Sequence, residues 1–206
     1  MSGRAPMNGA VVDVVFPLAG RSLPRDHAQA LASALGALLP WLADEPGAGV
    51  HPVRLVPGLG AQALLSNRAR LLLRVPRTRA DALDALAGRR LEVGGATVEL
   101  GLPHGRELLP HATLYAFSVA AASADELLFM DRVGAELEEL EIRGQTVCGK
   151  YHRMAAAGRT LDSFSLMLHG LSAEHSLRLQ QRGLGEHRLL GCGVFVPHKS
   201  AAAVGA

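Results

Sequence analysis

A chain of 206 residues that is 49% apolar and 19% charged can bury one large core or two of roughly 100 residues each, and it does not have the composition of a disordered segment. No apolar run reaches the roughly 18 residues that span a bilayer, and the start MSGRAPMNGA lacks the charged and apolar regions of a signal peptide, so the sequence predicts a cytoplasmic protein. Cys148 and Cys192 stand in no metal spacing, which argues against a disulfide framework and a zinc site and leaves two small buried hydrophobes; no cofactor is expected.

The formal charge of +2 conceals an asymmetry, because residues 1–142 carry 13 basic and 16 acidic side chains while residues 143–206 carry 8 and 3. The basic final third also holds five of the nine His. Of the 21 basic residues 19 are Arg, whose planar fork suits phosphate and guanine edges. An Ala, Gly, Leu and Arg bias also follows from a GC-rich coding sequence, so the placement of charge carries more than the identity of Arg.

In chain order, Val11 to Phe16 is a β-branched run and Ser22-Leu23-Pro24-Arg25-Asp26 reads as a helix start with a polar cap and an early Pro. The helix then runs to about Leu42, with Ala28, Leu31, Leu35, Leu38 and Leu42 on one face. Val50 to Val56 and Arg70 to Val75 read as strands, Arg79 to Ala87 as a second helix, and Leu91 to Leu100 as a closing strand or hairpin turning at Gly94-Gly95. Gly101 to Pro110 reads as a linker. After it the pattern restarts with a strand from Ala112 to Val119, a helix from about Ala124 to Leu140 with Met130, Val133, Leu137 and Leu140 on one face, and a hairpin of Thr146 to Met154 and Leu161 to His169. A helix from Ala173 to Arg182 and a strand from Gly193 to Pro197 complete it. Strand, helix, two strands, helix, strand, given twice, is an α+β chain of tandem ferredoxin-like (βαββαβ) domains, with boundaries at 1–103 and 104–206. The repeat is one of pattern, not of residue identity.

The segment from Gly183 to Pro197 threads His187 and Arg188 among Gly183, Gly185, Gly191 and Gly193. Glycines allow positive φ and close backbone approach, so amides can point at an anion while the basic side chains supply charge. A dinucleotide fingerprint opens a helix, whereas this loop leaves one, which argues against a Rossmann site. The alternative is a helix C-cap followed by a bulged edge strand. His27, placed in the first turn of the first helix, meets the positive end of the helix dipole, which favours the neutral imidazole that can accept a proton; a harmless polar residue is equally at home there. In tandem ferredoxin-like domains that helix and the last loop can both face the cleft between them. Lys150, Tyr151, His152, Arg153 and Arg159 put four basic residues and an aromatic on one hairpin, either a ribbon for RNA phosphates or a solvated edge. Arg178 and Arg182 are ordinary solvent-face residues unless a polyanion lies alongside, and His104 and His111 read as solvated loop residues. No nucleotide-hydrolysing loop, helical zinc motif or nucleophile elbow is present.

Four stretches carry a family resemblance: Phe16-Pro17-Leu18-Ala19-Gly20 with Leu23-Pro24-Arg25-Asp26-His27; Leu38-Leu39-Pro40-Trp41-Leu42; Arg68 to Arg74; and Leu179-Gln180 through Gly183-Leu184-Gly185 to Gly191-Cys192-Gly193-Val194-Phe195. From Val11 to Pro197 the chain resembles the CRISPR repeat-processing endoribonucleases of the RAMP superfamily, in the variant found with Myxococcus-type subtype I systems. The resemblance implies two ferredoxin-like domains of RRM-like type and a metal-independent cut in repeat RNA that leaves 2′,3′-cyclic phosphate and 5′-hydroxyl ends. It also implies retention of the crRNA by its 3′ hairpin within a Cascade-like type I effector complex. His27 matches the family's histidine and takes the role of general base, with Tyr151, Lys150 and His187 as candidate helpers. Met154-Ala155-Ala156-Ala157-Gly158 is blander than the basic stretch of close relatives, which shifts the expected RNA contacts to Lys150, Arg153, Arg159, Arg178, His187, Arg188 and the four loop glycines. The alternatives are a non-catalytic RNA-binding subunit, in which His27 merely caps or packs, and a ferredoxin-like protein-interaction module.

Overall fold

The computed structural model describes residues 11–198 apart from 59 and 157; the leader-like stretch considered above lies outside the described residues. The first half contains β1 (Val11–Ala19), β2 (Ser22–Pro24), α1 (Ala28–Leu38), β3 (Gly49–Val50), β4 (Gln62–Leu64), β5 (Arg70–Pro76), α2 (Arg77–Ala80, continued as a 3-10 turn to Leu86), the β6 (Arg90–Val93) and β7 (Ala96–Leu100) hairpin, and β8 (His104–Glu107). Its sheet runs β3-β5-β1-β7-β6, with β8 also on β1. The second half contains β9 (Thr113–Ala121), α3 (Glu126–Glu139), β10 (Gln145–Ala156), β11 (Arg159–His169), α4 (Ala173–Arg182) and β12 (Val196–Pro197), in the order β10-β11-β9-β12. The first strand of each half is central, β1 between β5 and β7 and β9 between β11 and β12, which is the ferredoxin-like arrangement.

Each half has its own apolar core. In the first, Val12, Val14, Phe16 and Leu18 alternate along β1 and meet Leu31 and Leu35 of α1, because every second residue of a strand shares a face. In the second, Leu114, Ala116, Leu166 and Leu168 pack under Phe129, Val133 and Leu137 of α3. The Asp125 carboxylate accepts from the amides of Leu127 and Leu128 and so starts α3 one turn before its apolar stripe.

The helix read to Leu42 ends at Leu38 ahead of a 3-10 turn at Pro40–Ala43, the second helix is mostly 3-10, and the last strand pairs only at Val196–Pro197; three further segments change their type or extent. Ser22–Pro24 is a strand paired with β4, not a helix start, because pairing Leu23 with Ala63 buries both side chains. The stretch read as a strand from Val50 to Val56 leaves the main sheet after the His51 amide bonds Leu72, just ahead of Pro52, which has no amide to give, and pairs again only at Val56, in a bridge to Leu64. The segment read as a linker holds β8, whose register with β1 (Val15 opposite His104) is one residue out of step with that of β7 (Leu18 opposite Leu100). β7 and β8 are thus one long strand interrupted by a bulge at 101–103.

The halves are joined by a buried polar strut. Asp13 on β1 lies opposite Arg74 on β5 and Arg106 on β8. Arg74 donates from Nε to Asp13 Oδ1 at 2.8 Å and from Nη2 to Oδ2 at 3.2 Å, while its Nη1 reaches across to the carbonyls of Gln180 (2.8 Å) and Phe195 (3.0 Å). His51 adds a bond to Asp13 Oδ1 at 3.2 Å and Arg106 one to Oδ2 at 2.8 Å. Burial alone would raise the Asp13 pKa, but the His51 hydrogen bond and the Arg74 charge outweigh it and hold the carboxyl well below the usual range. Burial, in turn, pushes His51 down and keeps it neutral.

Candidate active site

Between the halves lies a cleft of about 330 Å³, walled by α1 and its approach (Arg25, Asp26, His27, Leu31), by the 50–52 segment, by β9 and β10 of the second half, and by Leu189 to Gly191. His27 is the N-cap of α1, one position before the helix proper, and its carbonyl accepts from Leu31. Its ring is 7% exposed and its Nδ1 lies 3.0 Å from the Pro24 carbonyl. A carbonyl only accepts, so the neutral ring carries its proton on Nδ1 and Nε2 keeps its lone pair. Nε2 has no protein partner among the described residues. Burial lowers the His27 pKa, offset in part by the backbone bonds at Pro24 and Arg25 and by the Asp26 charge. A neutral, oriented imidazole with one open nitrogen at a cleft wall is equipped to accept a proton.

Asp26 fixes the opposite wall, since its carboxylate accepts from the amide of Ala155 at 2.9 Å. That amide faces outward from β10, the edge strand of its sheet. His152 and Met154, further down β10, line the cleft with Phe117 of β9. The sequence reading took His152 only as one basic residue of the hairpin and not as a cleft residue, because an edge hairpin has no burial pattern to mark which residues face inward.

None of the three helper candidates lines the cleft. Tyr151 pairs with Phe164 across the register, which puts it on the α3 face of the sheet, where its hydroxyl donates to Asp162 at 2.5 Å. That bond holds the phenol proton and raises the Tyr151 pKa. His187 sits at the exposed tip of the glycine loop in the left-handed region (φ 64°). Lys150 has an exposed side chain close enough for its charge to act on His152.

The basic residues divide in the same way. Arg178 is 8% exposed and binds the carbonyls of Leu140 (2.8 Å) and Glu141 (3.2 Å) at the end of α3, with Glu174 at 2.7 Å. Arg188 turns inward and closes the end of α4, donating to the carbonyls of Gln181 (3.0 Å) and Arg182. Burial, then the charges of Arg74 and Arg182, push Arg188 down to about 10. Arg153, at 64% side-chain exposure and 3.7 Å from Asp162, lies on the cleft rim, and Arg159 stands exposed at the hairpin turn.

Three of the four loop glycines are needed for close approach, while Gly185 has only its positive φ and no atom nearer than 3.6 Å to a Cβ. At Gly183 and Gly193, both at positive φ, a Cβ would run into the backbone of the facing loop arm, and at Gly191 one would meet Pro52 at 2.9 Å. The amides of Gly183, Leu184, Gly185, Gly191, Cys192 and Gly193 all donate within the protein, to Leu179, Gly193, Glu136, Arg188, His187 and Ser118 in turn. The glycine loop therefore docks the second half against the first, and its exposed basic contribution comes down to His187. Among the described residues no group of three or more His, Cys, Asp or Glu is arranged to hold a metal ion, and no helix is long and apolar enough to cross a membrane.

Comparison with solved structures confirms the fold. A structure described as CRISPR associated protein Cas6 superposes with a TM-score of 0.65 at 10% identity, covering 92% of this chain and all of that one. A Cas6-related protein from Pyrococcus furiosus gives 0.63 at 11% identity over 90% and 98%. In sequence, the family model described as Cas6 Crispr matches residues 12–200, and the chain belongs to that family. It is 37% identical over 194 residues to the CRISPR-associated endonuclease Cas6 of Myxococcus xanthus (strain DK1622), covering 94% of this chain and 84% of the relative.

Proposed function

We propose that this chain is a metal-independent endoribonuclease that processes CRISPR precursor RNA in the cytoplasm by cutting within the repeat. The observation that carries the reading is the single-nitrogen presentation of His27 at the cleft wall. In an RNA strand laid through the cleft, Nε2 takes the proton of a 2′-hydroxyl. The 2′ oxygen attacks the adjacent phosphorus in line, the bond from phosphorus to the 5′ oxygen breaks, and that oxygen takes a proton from the Lys150 ammonium or from water as it leaves. The products are a 2′,3′-cyclic phosphate and a 5′-hydroxyl. The nucleophile belongs to the substrate itself, so one base and one source of positive charge suffice. Lys150 is assigned the second role, as the helper candidate whose charge already reaches the cleft at His152. The net basic final third, residues 143–206, supports retention of the product hairpin and a place in a type I effector complex.

Co-expression with a CRISPR array, recovery of bound RNA and determination of its terminal chemistry test the reading. One short species ending in a cyclic phosphate is expected, and a His27→Ala protein should bind uncut precursor. Equal cleavage by that variant removes the base assignment. Bound but uncut RNA with the native protein favours a non-catalytic binding subunit.

A further inference from the structure

Across the cleft from α1, the rings of Phe117 on β9 and His152 on β10 are stacked, with centroids 4.5 Å apart and planes 28° from parallel. Isolated exposed apolar side chains are common and need no explanation. Phe117 is different, because it is 51% exposed while forming part of a cavity wall and lying on a second aromatic ring. Leu31, Pro52, Met154 and Leu189 supply apolar surface around the pair, and Arg25 and Arg153 stand on the same walls. A volume of about 330 Å³ is at the small end of ligand pockets, about 300–1,000 Å³. It suits a single planar ring and excludes a duplex. Burial, followed by the Lys150 charge, lowers the His152 pKa. At neutral pH the pair thus presents two uncharged aromatic faces, and His152 is poorly suited to donate a proton.

We propose that Phe117 and His152 form a stacking platform that takes one unpaired nucleobase of the RNA into the cleft and thereby holds the phosphate beside it at His27. This rests on the reading of the chain as a repeat-RNA endonuclease. Every base has a π-face, so such a platform selects an unpaired nucleotide at the cut without reading its identity.

The test uses the full chain and a repeat RNA made uncleavable by a 2′-deoxy sugar at the cut, with 2-aminopurine placed in turn at each unpaired position flanking it. Fluorescence should be quenched on binding at one position in the native protein, and the quench should vanish in Phe117→Ala. Cleavage of the all-ribose RNA by that variant should slow by about 5- to 150-fold, the range for loss of one base–aromatic stack. Phe117→Tyr and His152→Phe keep two stacked rings and should keep both signals; the exposure of Phe117 makes misfolding of its variants improbable, and a matching thermal melt verifies this. An unchanged quench in Phe117→Ala overturns the platform, as does a His152→Phe protein as inactive as His27→Ala, which would mark a proton-transfer role. If the native protein cuts repeat RNA yet quenches no position, the platform alone fails. If it neither binds nor cuts repeat RNA, the functional reading fails and the platform with it.

Discussion

Replacing Arg74 by Met keeps the unbranched apolar stem of the side chain and removes the charge and donors that join the two halves. The guanidinium is fully buried and makes four bonds, two to Asp13 and one each to the carbonyls of Gln180 and Phe195. Removing one partner of a buried ion pair costs about 3–5 kcal/mol, and each carbonyl left without a donor adds up to about 1–3 kcal/mol. The terms share one site and do not sum, and Arg106 and His51 still face Asp13. The expected loss is therefore about 3–5 kcal/mol, which for a chain of this size lowers Tm by about 6–20 °C. Urea unfolding followed by fluorescence of Trp41, the only Trp and a first-half residue, and by far-UV circular dichroism reads both the loss and the coupling. The two transitions should coincide in the native protein and separate in Arg74→Met. Adding Asp13→Asn should recover part of the loss by removing the orphaned carboxylate. A loss below about 1 kcal/mol, within the ordinary run of point substitutions, with coincident transitions would show that the strut does not couple the halves.

Cleavage should need neutral His27, so its rate falls as acid protonates the ring; because burial depresses the His27 pKa, the acid limb should lie below the ordinary value near 6.5, and a limb above pH 7 contradicts the assignment. Gly193→Ala should destabilise by more than about 2 kcal/mol, since αL strain costs about 1–2 kcal/mol and the new Cβ would also overlap the Leu184 carbonyl. Gly95→Ala, at φ 82° with nothing within 4 Å, should show only the strain, and equal melting shifts would refute the close-approach argument. Arg178→Ala should lower Tm and leave the salt dependence of RNA binding unchanged, because its guanidinium is committed to the end of α3. Arg159→Ala should leave Tm in place and reduce the slope of log affinity against log salt by about 1; the reverse pattern would exchange their roles.

Local pattern made the helices and the strand order of both halves legible. α4 begins and ends at Ala173 and Arg182 in sequence and structure alike, because Ser172 caps it and Gly183 stops it. Long-range pairing left no such mark. β8 hides among Gly and Pro residues, since a polar edge strand four residues long has no periodicity. Arg74 reads as an outward side chain on an alternating strand, and only the docking of the second half turns that face into an interior. For the same reason His27 was visible as a site residue, as an imidazole beside a helix start, while His152 read only as one charge of a basic hairpin, since a residue on an edge hairpin becomes part of a cleft only when another domain closes over it. Arg178 and Arg188 show the limit of charge counting, because two guanidinium groups that suggest a polyanion are used to close helix ends.

The covalent connection between the two halves is residues 108–112, between the end of β8 and the start of β9. Leu108 is buried, the Leu109 carbonyl accepts from Gln180 at 2.9 Å, and the His111 amide donates to Ser176 at 2.8 Å. A connection that begins as a paired strand and is then pinned to α4 leaves no free hinge. The cleft is thus braced at two places, by the Arg74 strut across it and by the pinned connection behind it, so its walls are spaced by contacts made within the folded chain itself.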